Sequence, residues 1–147
     1  MKLIFIDIDG VLNSSSGTGP YVSDMEIDKL ILLKQLIDET KSSGIVITSD
    51  RRYSDVDMKS KLAAFKQYQI PVIGQLRLPD DNDPDDNRGK QIMDYISSQK
   101  ENIDKIVILD DIDDGISELF FEDFIIVNRV FGLNKDIYKR VVETLNQ

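Results

Sequence analysis

The chain has neither histidine nor cysteine among its 147 residues. The first absence closes every mechanism that uses an imidazole base, the Ser-His-Asp and Cys-His arrangements included, and every histidine-ligated zinc site. The second excludes a disulfide framework and any thiolate metal site. Cations are outnumbered: 18 Lys and Arg stand against 27 Asp and Glu, a formal net charge of −9. No basic stripe of the kind that grips a nucleic-acid backbone stands out. Stable binding to duplex DNA is therefore not expected, although an enzyme that grips a single phosphate end remains compatible. No apolar run approaches the roughly 20 residues of a membrane span, so no membrane partner is expected. Residues 2–6 are cut short by Asp7 and do not make a signal peptide. A cytoplasmic location is the expectation.

What is present is the composition of an ordinary globular protein, 41% hydrophobic and 31% charged, with a length that predicts a single domain over residues 1–147. Apolar, β-branched runs at 2–6 (KLIFI), 45–47 (IVI), 105–109 (KIVIL) and 124–127 (FIIV) read as strands buried on both faces, with a weaker fifth at 70–73 behind Pro71. Helical spacing recurs at 24–43, 54–68, 89–99 and 135–146. Ser23 and Glu26 suggest a capping box for the first helix, and Gly44 its stop. Alternation of strand and helix predicts an α/β fold with a five-stranded parallel sheet covered on both faces. Two stretches lack periodicity: the Ser/Gly-rich 13–22, read as a possible flap, and the acidic 79–88, read as a solvated turn.

Ligands of open parallel α/β sheets sit outside the carboxyl ends of the strands. The first strand there delivers Asp7, Ile8, Asp9 and Gly10. The second delivers Thr48, Ser49, Asp50, Arg51 and Arg52; the fourth delivers Asp110, Asp111, Asp113 and Asp114. Arg88, Gly89 and Lys90 open the third helix. Crowded carboxylates repel one another, and a hard cation such as magnesium relieves that with oxygen ligands. A hydroxyl and a helix-start cation suit phosphoryl oxygens. One aspartate is then placed to attack phosphorus and a second, two residues on, to move the proton. Taken singly, an aspartate after a strand is most often a turn former. An EF-hand loop fails both at Asp7, where Val11 and Leu12 replace ligands, and at Asp81, where Asp86 and Ile92 fall on the glycine and glutamate positions.

These segments resemble the haloacid-dehalogenase (HAD) superfamily of aspartate-nucleophile phosphohydrolases. FIDIDGVLN is similar to its first motif, IVITSDRR to its second, NRGKQI to its third and IVILDD to its fourth. The resemblance implies a Rossmann-like three-layer α/β/α domain with strand order 3-2-1-4-5. It implies Asp7 as nucleophile, Asp9 as general acid/base, and Thr48, with Ser49 beside it, as phosphate-binding. Magnesium would be held by Asp7, the Asp9 carbonyl, and Asp110 or Asp111, with Asp111 preferred. The third motif is normally lysine; Arg88 sits better at the helix start, while Lys90 has the usual type. Neither motif interval has room for a cap domain. The plan is also similar to the phosphatase domains of RNA-repair and polynucleotide kinase proteins. The implied substrate is a small phosphate ester or a phosphorylated nucleic-acid end, with Asn13, Arg51 and Arg52 as candidate specificity residues. The rival readings are a non-catalytic module that binds metal or phosphate, and a phosphoacceptor receiver domain, which the Asp-x-Asp-Gly spacing disfavours. Oligomeric state is left open.

Overall fold

In the computed structural model, which describes residues 1–147, the elements run β1 (Lys2–Ile6), β2 (Tyr21–Val22), β3 (Met25–Glu26), α1 (Ile27–Thr40), β4 (Gly44–Ile47), a 3-10 turn (Asp50–Tyr53), α2 (Asp55–Gln67), β5 (Val72–Gln75), α3 (Arg88–Ser98), β6 (Lys105–Asp110), α4 (Ile116–Phe120), β7 (Phe124–Ile126) and α5 (Lys135–Leu145). Five strands form one parallel sheet in the order β5-β4-β1-β6-β7, the order that the motif resemblance implies. β1 is central, and both of its neighbours pair along its whole length or nearly so.

The uninterrupted apolar runs are explained by burial on both faces. Ile4, Ile6, Ile45, Ile47, Val107 and Leu109 join the larger core with α1, α2 and α5. The alternate residues Leu3, Phe5, Val46 and Ile108 join the smaller one with Ile92 of α3 and Ile116 and Phe120 of α4. Side chains alternate along a strand, so a strand sandwiched between helices must be apolar at every position. Each fully buried Ile or Leu contributes about 2 kcal/mol.

The start of α1 differs from expectation. Ser23 (φ 50°) and Asp24 (φ 62°) form the two-residue turn of a small hairpin, β2–β3, rather than a capping box. Positive φ at both central residues is what a tight hairpin turn of this twist requires. α1 begins after Glu26, which makes no side-chain capping bond. Its end is a left-handed Lys41, not Gly44. Gly44 instead opens β4, where a Cβ would lie 2.4 Å from the Pro71 carbonyl oxygen. The fifth sheet strand is shifted two residues later than expected, to 72–75, and the short α4 was not anticipated. The connection from β1 to β4 holds only the hairpin and α1, and that from β4 to β6 only the 3-10 turn, α2, β5 and α3, so no cap domain covers the carboxyl edge. No helix is long and apolar enough to cross a membrane.

Candidate active site

β1 ends at Ile6, and the Asp7 amide still donates to the Leu109 carbonyl (3.0 Å), which fixes Asp7 at the strand tip. Ile8 turns back into the larger core, and Gly10 (φ 84°) reverses the chain. Glycine is required there twice over, because a Cβ would also lie 2.4 Å from Asp111 Oδ2. Asn13 pins the turn: its Oδ1 accepts from the Gly10 amide (2.9 Å) and its Nδ2 donates to Asp9 Oδ1 (2.9 Å) and the Asp24 carbonyl (3.0 Å).

Carboxylate oxygens of Asp7, Asp110 and Asp111 lie within 4.8 Å of one another. Asp7 and Asp110 are buried, and Arg88 joins them from the first turn of α3. Its guanidinium donates to Asp110 Oδ2 (2.6 Å) and Asp50 Oδ1 (2.9 Å), and stands 3.8 Å from Asp7 Oδ2. The α3 start is itself fastened, because Asn87 caps it and Asp114 accepts from the Arg88 amide (3.0 Å). Lys90 lies in the same turn but forms no ion pair with the acids. Burial, then the charge of Asp110, pushes the Asp7 carboxyl up to about 8. Burial also raises Asp110, against the pull of Arg88. Burial opposes the Arg88 charge, but Asp110 and Asp7 more than offset it and hold Arg88 protonated.

Thr48 follows β4, its amide bonded to the Ile6 carbonyl (3.0 Å). Its Oγ1 is buried and has no hydrogen-bond partner. A buried orphan hydroxyl is costly, and a ligand oxygen would satisfy it. Ser49 Oγ accepts from the Arg51 amide (3.1 Å) and caps the 3-10 turn. Asp9 is half exposed, and both its oxygens are engaged by Arg51, from Nε (2.8 Å) and Nη2 (3.0 Å). Arg51 holds the Asp9 carboxyl below the usual range, and a third bond from Arg51 reaches Asp57 (3.0 Å).

Arg52 departs from the sequence expectation. Its side chain turns inward and donates to the carbonyls of Thr48 (2.7 Å), Ser49 (2.9 Å) and Arg77 (3.3 Å) and to Gln91 Oε1 (2.5 Å). It braces the end of β4 rather than facing solvent. The 13–22 stretch is likewise no free flap. Ser14 bonds Glu26, and the Ser15 and Ser16 amides bond the Arg129 and Val130 carbonyls. Sequence reasoning missed Arg129, which donates to Asp111 Oδ2 from Nε (3.1 Å) and Nη2 (2.7 Å). Its only signal was its place just past the last strand.

A parallel sheet with an aspartate tip, an acidic cluster and a buried arginine at its carboxyl edge fits a HAD-type phosphatase domain. A family model described as the HAD domain in Swiss Army Knife RNA repair proteins matches residues 3–137, and the chain belongs to that family. No curated protein and no solved structure matches it.

Proposed function

We propose that the protein is a magnesium-dependent phosphatase that hydrolyses a phosphomonoester through an aspartyl-phosphate on Asp7. The observation that carries this reading is the placement of Asp7. It is a nearly buried carboxylate at the ligand edge of the sheet, in a cluster with Asp110 and Asp111 and 3.8 Å from the Arg88 guanidinium. A carboxyl desolvated to that degree ionises near neutral pH only with a cation beside it.

Asp7 attacks phosphorus as its carboxylate, forming an O–P bond as the ester oxygen departs, and Asp9, which takes up a proton once Arg51 has left it, gives that oxygen its proton. Asp9 then takes a proton from water, whose oxygen attacks phosphorus, releases phosphate and restores Asp7. The Thr48 hydroxyl and Arg88 hold the phosphoryl oxygens as charge builds on them. Arg88 is the better clamp than Lys90 because it already reaches the acids. Arg51 must leave Asp9 for the proton transfer, and an anionic group on the substrate would draw it away.

The donor set is all oxygen, as magnesium prefers, and the three crowded carboxylates fit a divalent cation. Both oxygens of Asp110 are tied, to Arg88 and to the Ile112 amide (3.1 Å). Asp111 has only the exposed Arg129 as ion-pair partner, so Asp7, Asp111 and the Asp9 carbonyl are the expected ligands, with Asp110 in support. When bound, the ion would neutralise charge on the transferring group.

The family's description names RNA repair, and the uncapped edge admits a chain end. A phosphorylated nucleic-acid end is therefore the finer substrate class to try first, beside small phosphate esters. The locked Asp9 favours one rival, a non-catalytic metal- or phosphate-binding module. Turnover of p-nitrophenyl phosphate that chelation abolishes separates the two. Asp7→Asn is expected to lower kcat at least 10³-fold, on the order expected for loss of a covalent nucleophile. Undiminished turnover in that variant rules out the mechanism.

A further inference from the structure

Arg129 pairs with the site's acids differently from Arg88. Arg88 is buried and held by Asp110 and Asp50, with Asp7 close by. The Arg129 side chain is 63% exposed, yet that of its partner Asp111 is only 2% exposed. The ion pair therefore has one member fixed inside the site and one standing in solvent.

The backbone under Arg129 is fastened while its side chain is not. The Arg129 carbonyl accepts from the Ser15 amide (3.0 Å), the Asn128 carbonyl accepts from Gly132 (2.8 Å), and Asn128 Oδ1 accepts from Val130 (2.9 Å). The guanidinium has no acceptor other than Asp111. Leaving Asp111 needs only the rotation of one exposed side chain, with no loop movement. Location adds a third point. The oxygen that Arg129 occupies, Oδ2, is the one packed on Gly10, and the Asp9–Gly10 peptide bond carries the carbonyl expected to ligate the cation.

We propose that Arg129 is a displaceable counter-cation of the metal site. It neutralises Asp111 while no metal is bound, and it gives up Oδ2 when a divalent cation enters the Asp7–Asp110–Asp111 cluster. The inference rests on the metal reading above and adds a regulatory residue to it. Once a divalent ion is bound and all three carboxylates are ionised, Arg88, Arg129 and the ion together bring the cluster to +1. Keeping Arg129 in place then sets like charges on the two sides of one carboxylate. Its release relieves that repulsion and leaves an unpaired guanidinium at the mouth through which a phosphate must enter.

Calorimetric titration of MgCl2 and MnCl2 into the full chain tests this, with wild type, Arg129→Gln and Arg129→Lys compared. Removing a unit charge one carboxylate away from a divalent ion is worth about tenfold in affinity even in a water-like dielectric. Arg129→Gln is thus expected to bind either ion about tenfold more tightly than wild type. Arg129→Lys keeps the charge and is expected to stay near wild type, and it keeps the test decisive if the glutamine variant fails to fold. Unchanged or weaker binding in Arg129→Gln overturns the proposal, and Arg129 is then a fixed support that aims Asp111. Equal tightening in both variants overturns the charge argument. No binding by any of the three removes the metal reading and this inference together. An active Asp7→Asn enzyme, by contrast, would sink the phosphatase mechanism and leave the titration result standing.

Discussion

Asp7 holds its position at a cost in solvation, and that cost has a pH signature. Its carboxyl is pushed up to about 8, by burial and then by Asp110, whereas in the unfolded chain it titrates near 3.8. Between these values the folded protein holds a proton that the unfolded chain has lost. Metal-free stability is therefore expected to fall as pH rises from about 4 to about 8. Asp7→Asn removes the titrating group. Urea unfolding in chelator should find that variant more stable than wild type at pH 8, on the order of 3 kcal/mol, with the gap closing toward pH 4. Parallel pH profiles for the two proteins would contradict the assignment. At this scale the D-x-D-G spacing was enough to single out Asp7 and Asp9. Apart from its place just past the last strand, nothing in a lone arginine within VNRVFGLN marked Arg129, because its meaning depends on Asp111, 18 residues earlier.

Elements, rather than single residues, decide which cation reaches the acids. α3 starts where Asn87 and Asp114 fasten it, which directs Arg88 into the cluster. Just before it, the acidic loop is anchored by Asp86, which takes both arms of Arg77 (2.8 and 2.9 Å) and the Asp80 amide (2.9 Å). Arg77 holds the Asp86 carboxyl well below the usual carboxylate range. A depressed folded pKa stabilises the protein above the unfolded value and loses that contribution as pH falls through and below the ordinary range. Asp86→Ala is expected to cost about 1 kcal/mol at pH 7, with the deficit shrinking in acid, as read by denaturant midpoints at pH 7 and pH 3. A pH-independent deficit would assign the effect to packing instead. The strands and the four longer helices were legible from periodicity, within a few residues. The hairpin β2–β3 was not, since two-residue strands have no period to read and Ser-Asp is an unusual pair for positive φ. α4 escaped for the same reason of length.

The whole molecule combines an uncapped edge with a net charge of −9. A protein that tracks a nucleic-acid backbone with 6–10 cations loses about 10³-fold or more in affinity between 50 and 200 mM salt. Here the cations at the site are few and already paired with aspartates. The kcat/KM for an oligonucleotide bearing a terminal phosphate is expected to change less than about tenfold over that range. It should also vary little with oligonucleotide length. A steep fall with salt would reveal a backbone-binding surface that the charge distribution does not suggest.

The sequence by itself determined the sheet and its edge. Apolar runs buried on two faces, alternating with helices, predicted a parallel sheet with Asp7 at a strand tip, and these signals are local; the resemblance of the motifs implied the strand order that makes this strand central. Only the tertiary structure decided which side chains meet there. It brought in Arg88 rather than Lys90, turned Arg52 inward to the Thr48 carbonyl, left the Thr48 hydroxyl without a partner, and set Arg129 on Asp111. Those pairings join residues from different strands, helices and loops. Their partners are selected by how the elements pack, and no single stretch of chain contains both halves of the contact.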